Sequence, residues 1–155
     1  MGRVVSVNVS EKKGTPKRPV EKIELVPGRG VKDDAHAAPG DRQVSLLMIE
    51  HIKEAAERIE SMPECEVKGA GVELAPGVFA ENVTTEGIDL LALKIGDELA
   101  VGREIRLRIT KIGKECDRPC AIYYKTGDCI MPKKGIFAEV LSGGAARPGD
   151  IIEKR

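Results

Sequence analysis

The chain has 155 residues, enough for one domain of ordinary size whose core needs no disulfide bonds. Its 25 basic and 25 acidic residues cancel, so no net charge attracts nucleic acid or an anionic membrane surface. Aromatic residues make up 3% of the chain, which argues against the stacking platforms of single-strand nucleic-acid binders. We expect a single domain over residues 1–155 that does not bind nucleic acid.

The hydropathy pattern excludes a membrane protein of the helical type. No segment approaches the roughly 20 apolar residues of a membrane span, and the first residues lack the apolar run of a signal peptide. We therefore expect no membrane contact and a cytoplasmic location. In a reducing cytosol, the four cysteines are expected to be free thiols, metal ligands or catalysts.

The first part of the chain predicts two strands joined by a polar loop. Residues 4–10 alternate between apolar and polar positions, and residues 20–26, VEKIELV, predict a second strand that ends at a Pro-Gly turn. The loop between them is interpreted as solvent-exposed, with a capacity to attract a phosphorylated cofactor or an acidic partner. Its basic residues are Lys12, Lys13, Lys17 and Arg18.

One helix is predicted over residues 49–61, which follow the strand-like residues 43–47. Ile49, Ile52, Ala56 and Ile59 share one face of this helix, and charged residues cover the other. Pro63 follows its end.

The remainder predicts more short strands. They lie after Phe79, at residues 93–102, at 103–113 with alternation from Ile105 to Thr110, at 136–141, and after residue 150, with a glycine turn at 143–144. Gly-Asp pairs at 96–97 and 149–150 mark turns before strands. Many short strands with one or two short helices indicate a mainly β, barrel-like single domain.

Three of the four cysteines lie close together near the C-terminus. Cys116, Cys120 and Cys129 have the spacing C-x3-C-x8-C. Structural zinc sites usually supply two close ligand pairs, and iron–sulfur patterns need shorter intervals, so the spacing matches neither. Zinc bound for stability stays as one alternative.

The charges around these cysteines favour a reactive thiol. Six cations and three anions lie between residues 111 and 134, and a positive environment lowers a thiol pKa. Cys120, after Pro119 in a polar run, is interpreted as the reactive thiol. Cys116 is interpreted equally as a thiol or a buried apolar residue, whereas Cys129 and Cys65 are assigned packing or supporting roles.

Four segments together resemble the MOSC family, named for the C-terminal domain of molybdenum cofactor sulfurases. They are VSVNVSEKKGTPKRPV, DDAHAAPGDRQVSLLMIE, GVFAENVTTEGIDLLALKIGDELAVG and the RPC of residues 118–120. The ending GDCIMPKKGIFAEVL is similar to that of small stand-alone bacterial members. One departure is Ala38, because many relatives have glycine after the His-Ala pair.

The resemblance implies a β-barrel fold and a role in sulfur transfer to, or binding of, the molybdenum cofactor (molybdopterin). The carrier cysteine of the family matches Cys120, which is also the implied metal ligand, and Cys116 is the candidate resolving thiol. We expect no pyridoxal phosphate on this chain, because no matching lysine site or desulfurase domain is visible in the sequence. A separate cysteine desulfurase is then the expected sulfur donor.

The cofactor-binding residues implied by the resemblance are His36, Arg42, Asn82 and Arg118. Three of them have a simpler alternative: His36 as a turn residue, Arg42 as a surface ion-pair partner, and Asn82 as a turn former. Glu81 and Thr84 are further candidates for hydrogen bonds to a pterin.

Two functions follow as hypotheses. The first is a sulfur carrier that forms a persulfide on Cys120 for molybdenum cofactor or metal–sulfur centre maturation. The alternative is a non-catalytic module that binds the cofactor through a cysteine ligand.

Overall fold

The computed structural model describes residues 1–12, 17–35, 37–60, 75–113 and 135–155. Within these ranges the chain forms strands, one α-helix and one 3₁₀ turn at Leu90–Ala92. In chain order the elements are β1 Gly2–Val9, β2 Arg18–Val20, β3 Ile23–Val26, β4 Gly30–Val31, β5 Val44–Met48, α1 Ile49–Glu60, β6 Val83–Glu86, β7 Glu98–Val101, β8 Ile105–Ile112, β9 Ile136–Ser142, β10 Gly144–Ala146 and β11 Ile151–Lys154.

Seven of the strands in the described ranges close into a barrel. The order is β1–β11–β7–β8–β9–β5–β6, and β6 pairs with β1 to complete the ring. Neighbouring strands are antiparallel except β5 and β6, which run parallel. A parallel pair needs a crossover connection, and α1 with the residues up to Glu81 supplies it. The barrel-like, mainly β fold expected from the sequence is confirmed.

The single strand predicted over residues 20–26 is wrong, because the chain changes sheets within it. Val20 belongs to β2 and pairs with Val7 of β1, whereas Leu25 belongs to β3 and pairs with Val31 and Gly144 in a separate sheet of order β10–β3–β4. The apolar positions Val20, Ile23 and Leu25 change phase at residues 21–22, which is where the chain leaves β2 for β3.

The glycine turn predicted at residues 143–144 extends one residue too far, because Gly144 begins β10. Gly143 is required by a close approach, because a Cβ there would lie 2.3 Å from the carbonyl oxygen of Leu25. The glycine pair therefore lets β10 pack against β3.

Strand β8 shows why alternation predicted the barrel wall well. Ile105, Leu107 and Ile109 are buried in the barrel core, while Arg106 and Arg108 are exposed between them. Complete burial of one such leucine stabilises the fold by about 2 kcal/mol, so this register is strongly preferred over a slip by one residue.

Helix α1 covers part of the outer wall of the barrel. Ile49 and Ile52 are buried there against Leu47 of β5, Phe137 of β9 and the buried Phe79. The helix predicted at 49–61 is confirmed over Ile49–Glu60, and residue 61 lies outside the described ranges. In the described part of the chain, no helix has the length and hydrophobicity needed to cross a membrane.

The two Gly-Asp turns have the same construction, as predicted. Gly96 and Gly149 have φ of 97° and 96°, a backbone conformation that favours glycine. The carboxylates of Asp97 and Asp150 accept hydrogen bonds from backbone N–H groups three residues earlier, at 2.8 and 2.9 Å. The Lys94 hydrogen bond is the main cause of a lowered pKa at Asp97.

Candidate functional site

Of the predicted cofactor-binding residues, Arg42 and Asn82 lie in the described part of the chain, as do the further candidates Glu81 and Thr84. The other predicted site residues lie outside it: His36, Cys116, Arg118 and Cys120, together with Cys65 and Cys129. The structure therefore bears on Arg42, on Asn82 and on the places where the cysteine-bearing residues and His36 join the barrel.

The residues that carry the three clustered cysteines, 114–134, leave and re-enter the barrel at one point. They follow β8 and precede β9, which are neighbours in the barrel and pair Ile112 with Ile136. The N–H of Gly113 donates to the carbonyl of Gly135 at 2.7 Å. The cysteine-bearing residues are thus attached to two adjacent strands whose ends are fixed to each other.

Arg42 lies beside this attachment point. Its side chain is exposed, and its guanidinium carbon is 5.9 Å from the ring centroid of Phe137, two residues after Gly135. The preceding residue is held as well, because the Thr110 hydroxyl of β8 donates to the carbonyl of Asp41. A cation over an aromatic face is stabilised by roughly 0.5–1 kcal/mol at an exposed site. The structure thus places an exposed cation next to the start of β9.

Asn82 is a buried brace between strands. Its Oδ1 accepts from the Ser45 N–H and hydroxyl, both at 3.1 Å, and its Nδ2 donates to the carbonyl of Asn8 at 3.3 Å. Only 1% of the residue is exposed. The side chain joins the ends of β5, β6 and β1, and its contact with a cofactor stays a prediction.

Glu81, next to Asn82, is a carboxyl group with no exposed surface. Its Oε2 accepts from the Thr84 hydroxyl at 2.8 Å, and Asn8 donates to both the Thr84 hydroxyl and the Glu81 carbonyl. Its Oε1 has no hydrogen-bond partner in the described ranges. Burial raises the pKa of Glu81 to about 7, although hydrogen bonds from Thr84 and from backbone groups including that of Gly77 lower it. Glu81 therefore changes charge near neutral pH.

The basic loop predicted to be solvent-exposed is instead anchored at Lys17, so that interpretation was wrong for this residue. Its side chain is fully buried, as is that of Asp34, and the ammonium donates to both carboxylate oxygens at 2.8 and 3.0 Å. It also donates to the Ser10 hydroxyl at 3.1 Å. Arg18, the next residue, is exposed but belongs to β2. A buried lysine needs such a carboxylate, and Asp34, which supplies it here, lies 17 residues later in the chain.

The residues before and after His36 are held by backbone hydrogen bonds close to the Lys17–Asp34 pair. The N–H of Ala35 donates to the carbonyl of Ser10 at 2.9 Å, and the N–H of Ala37 donates to that of Asp34 at 3.1 Å. Asp33 has φ of 65°, a left-handed conformation that is unusual for a residue with a side chain. The turn at Asp33 is therefore linked through Ala35 to Ser10, the residue after β1.

Two grooves flank this turn, with volumes of about 340 and 300 Å³, and both are lined by Lys32 and Asp33. The larger has an apolar floor that includes Val9 and Ile23 and both signs of charge at its rim. Its mixed charges select neither an anion nor a cation.

Metal binding gains no support from the described residues. In the described ranges, no three histidine, cysteine, aspartate or glutamate side chains come together as a metal site. The predicted metal ligand, Cys120, lies outside these ranges. The sequence named Glu81 as a candidate for a hydrogen bond to a pterin but did not predict its burial, which its position in an apolar stretch between Phe79 and Val83 could have indicated. The buried pair of Lys17 and Asp34 was not predicted.

Comparison with known proteins identifies the family. The MOSC domain family matches residues 32–153, and the chain belongs to this family. Family membership makes it a molybdenum-cofactor-related domain. No curated protein sequence matches the chain.

Solved bacterial structures share the fold. The YuaD protein from Bacillus subtilis superposes with a TM-score of 0.77 at 21% identity, covering 99% of this chain and 94% of that one. YiiM from Geobacillus stearothermophilus gives 0.71 at 20% identity, covering 100% and 75%, and YiiM from Escherichia coli gives 0.69 at 20%, covering 100% and 70%. At this identity the likeness establishes the barrel architecture.

Proposed function

We propose that this chain is a cytoplasmic sulfur carrier that forms a persulfide on Cys120 and delivers sulfur to the molybdenum cofactor or another metal–sulfur centre. The observation that carries the proposal is the MOSC family match over residues 32–153, which includes Cys120 and its basic surroundings. A cysteine desulfurase is the proposed donor, because no pyridoxal phosphate site is expected on this chain.

The proposed loading step transfers a sulfur atom without net oxidation. The thiolate of Cys120 attacks the outer sulfur of a donor persulfide, the donor S–S bond breaks, and the donor cysteine leaves as a thiolate. A basic environment such as that of residues 111–134 favours the attacking thiolate.

The proposed release step uses Cys116 as the resolving thiol. The Cys116 thiolate attacks the inner sulfur of the Cys120 persulfide, a Cys116–Cys120 disulfide forms, and the outer sulfur leaves as hydrosulfide. The two electrons that convert sulfane sulfur to sulfide come from the two cysteines. A disulfide requires Cα atoms within about 7 Å of each other, and a thiol reductant must reduce it before the next cycle.

The described residues fit an anionic cofactor in part. Arg42 is exposed beside the attachment point of residues 114–134, so its guanidinium would hold a phosphate or pterin oxygen there. Asn82 already bonds protein groups through both amide atoms. The molybdenum cofactor would supply the metal centre that receives the sulfur, and Arg42 would orient it.

The test is intact-protein mass spectrometry after incubation with a cysteine desulfurase and cysteine. Wild type is expected first to gain the mass of one sulfur atom and then to lose it as hydrosulfide, leaving a Cys116–Cys120 disulfide that a thiol reductant removes, whereas Cys120→Ser is expected to gain no sulfur. Cys116→Ser should load but should not release hydrosulfide. Cys65→Ser is the matched control and should behave as wild type.

If no variant gains sulfur while a pterin copurifies with the protein, the carrier proposal is wrong and the non-catalytic cofactor-binding module is supported.

Arg42→Gln is expected to weaken binding of a phosphorylated pterin about tenfold, because a charge-assisted hydrogen bond contributes roughly 1.5–3 kcal/mol. Pterin fluorescence titration measures the affinity. Arg106→Gln, which changes an exposed arginine on β8, is the control and should bind as wild type does. Equal affinities for all three proteins would exclude Arg42 from the cofactor site.

A further inference from the structure

Residues Ala75–Glu81, here called the strap, run across the outer wall of the barrel just before β6. Phe79 anchors the strap, because it is fully buried against the cluster that contains Leu47. Gly77 packs so closely that a Cβ there would lie 2.3 Å from the Lys17 carbonyl, and its own carbonyl accepts from the Lys17 N–H at 2.7 Å. The strap is thus held at its apolar anchor and along its backbone.

The strap is also strained at one residue. Ala80 has φ of 66°, which a residue with a side chain rarely adopts. Its carbonyl accepts from the Ser45 hydroxyl at 3.2 Å, and its N–H donates to the Gly77 carbonyl at 3.0 Å. The contacts that hold the strap down must therefore offset this strain.

Glu81 lies at the end of the strap. Among the contacts that hold the strap on the barrel, those of the Glu81 carboxyl depend on its protonation. The carboxyl is fully buried, and only Oε2 has a side-chain partner, the Thr84 hydroxyl. The Thr84 hydroxyl and backbone groups of Gly77, Phe79 and Glu81 favour the charged carboxylate, but Oε1 has no donor in the described part of the chain and the loss of water outweighs these bonds. The closed strap therefore suits the neutral acid.

We propose that the strap is a proton-controlled clamp, which stays on the barrel while Glu81 is protonated and lifts when Glu81 becomes charged. Lifting breaks the bond between the Glu81 carbonyl and the Asn8 amide and uncovers the neighbouring Asn82. This regulation goes beyond the proposed sulfur transfer and does not depend on it.

The described charged groups around the strap do not replace Glu81 in this role. Strands β1, β5 and β6 contribute neutral groups to its surroundings, namely Ser6, Asn8, Ser45 and Thr84. Lys17 directs its ammonium to Asp34, and His51 on α1 lies 3.3 Å from Glu54.

The expected increase in strap opening follows from the difference in the pKa of Glu81 between the closed and the opened strap. The pKa of Glu81 is raised to about 7 in the closed strap, whereas an opened strap returns the carboxyl to an ordinary value near 4.5. Each pH unit between these values favours opening about tenfold. From pH 5 to pH 8, opening is expected to increase on the order of 50-fold.

Hydrogen–deuterium exchange of the full chain at pH 5 and pH 8 tests the proposal. Each rate is corrected for the intrinsic pH dependence of exchange. The reporters are the N–H of Lys17, which donates to the Gly77 carbonyl of the strap, the N–H of Asn82, which donates to Ser45 of β5, and the N–H of Ala80 within the strap. In wild type, the protection of these N–H groups from exchange is expected to fall about 50-fold from pH 5 to pH 8, relative to that of residues 98–112 of β7 and β8. Glu81→Gln should show no such pH-dependent loss.

Equal strap protection at both pH values in wild type would overturn the proposal. Equal loss in the strap and in residues 98–112 would overturn it too, because the proton would then control global unfolding. Should Glu81→Gln fail to fold, the wild-type comparison of strap and barrel decides the question.

Discussion

Lys17→Met is expected to lower the free energy of unfolding by about 3–5 kcal/mol, because it leaves the buried Asp34 carboxylate without its main cation. Both side chains are fully buried, and the ammonium bonds both carboxylate oxygens and the Ser10 hydroxyl. Methionine fills a similar volume, so the loss reports the charge more than the packing. Urea denaturation at pH 7 measures the change.

A matched pair of variants separates the buried ion pair from ion pairs in general. Arg3→Met removes an exposed pair with Glu86 and should cost less than about 1 kcal/mol. Lys17→Met with Asp34→Asn removes both charges and keeps an acceptor for the Ser10 N–H, so it should recover at least half of the single-variant loss. A Lys17→Met variant as stable as Arg3→Met would show that the pair contributes little.

The sequence pattern predicted a barrel strand correctly where that strand has one buried face and one exposed face. In β8 the alternation of Ile105, Leu107 and Ile109 with charged residues is enough, because each position faces either core or water. Alternation failed at residues 20–26, where Val20 and Leu25 belong to different sheets. A pattern of side chains reports which face is buried and carries no information on which partner strand lies beside it.

The candidate site was predictable only as a set of motifs. The family segments singled out Arg42 and Asn82, but their different settings, one exposed on Phe137 and one buried among three strand ends, depend on contacts across the fold. Lys17 was interpreted as solvent-exposed because its neighbours in sequence are polar. Its burial comes from Asp34, which only the folded chain brings to it.

Glu81→Gln is expected to gain stability relative to wild type as the pH rises. The free energy of unfolding of the variant minus that of wild type is expected to be about 3 kcal/mol larger at pH 8 than at pH 4.5. The pKa of Glu81 is about 7 in the fold and about 4.5 in the unfolded chain. Below pH 4.5 both states hold the proton, so the proton has no effect on stability. Between pH 4.5 and 7 only the folded state keeps it, and wild type loses roughly 1.4 kcal/mol of unfolding free energy per pH unit. Above pH 7 the loss is complete and the curve is level.

Urea denaturation of both proteins at pH 4.5, 6, 7 and 8 measures this difference, and Glu86→Gln, at an exposed carboxyl, is the control. Glutamine keeps the shape and an acceptor for the Thr84 hydroxyl but cannot ionise, so the difference between wild type and Glu81→Gln isolates the proton. Glu86→Gln should differ from wild type by less than about 1 kcal/mol at every pH. A constant difference between wild type and Glu81→Gln from pH 4.5 to 8 would mean that Glu81 ionises in the folded protein without cost. A buried carboxyl with one oxygen lacking a donor would then need water or movement of the strap to hold its charge, and the exchange experiment separates these two, since only movement exposes the Ala80 N–H.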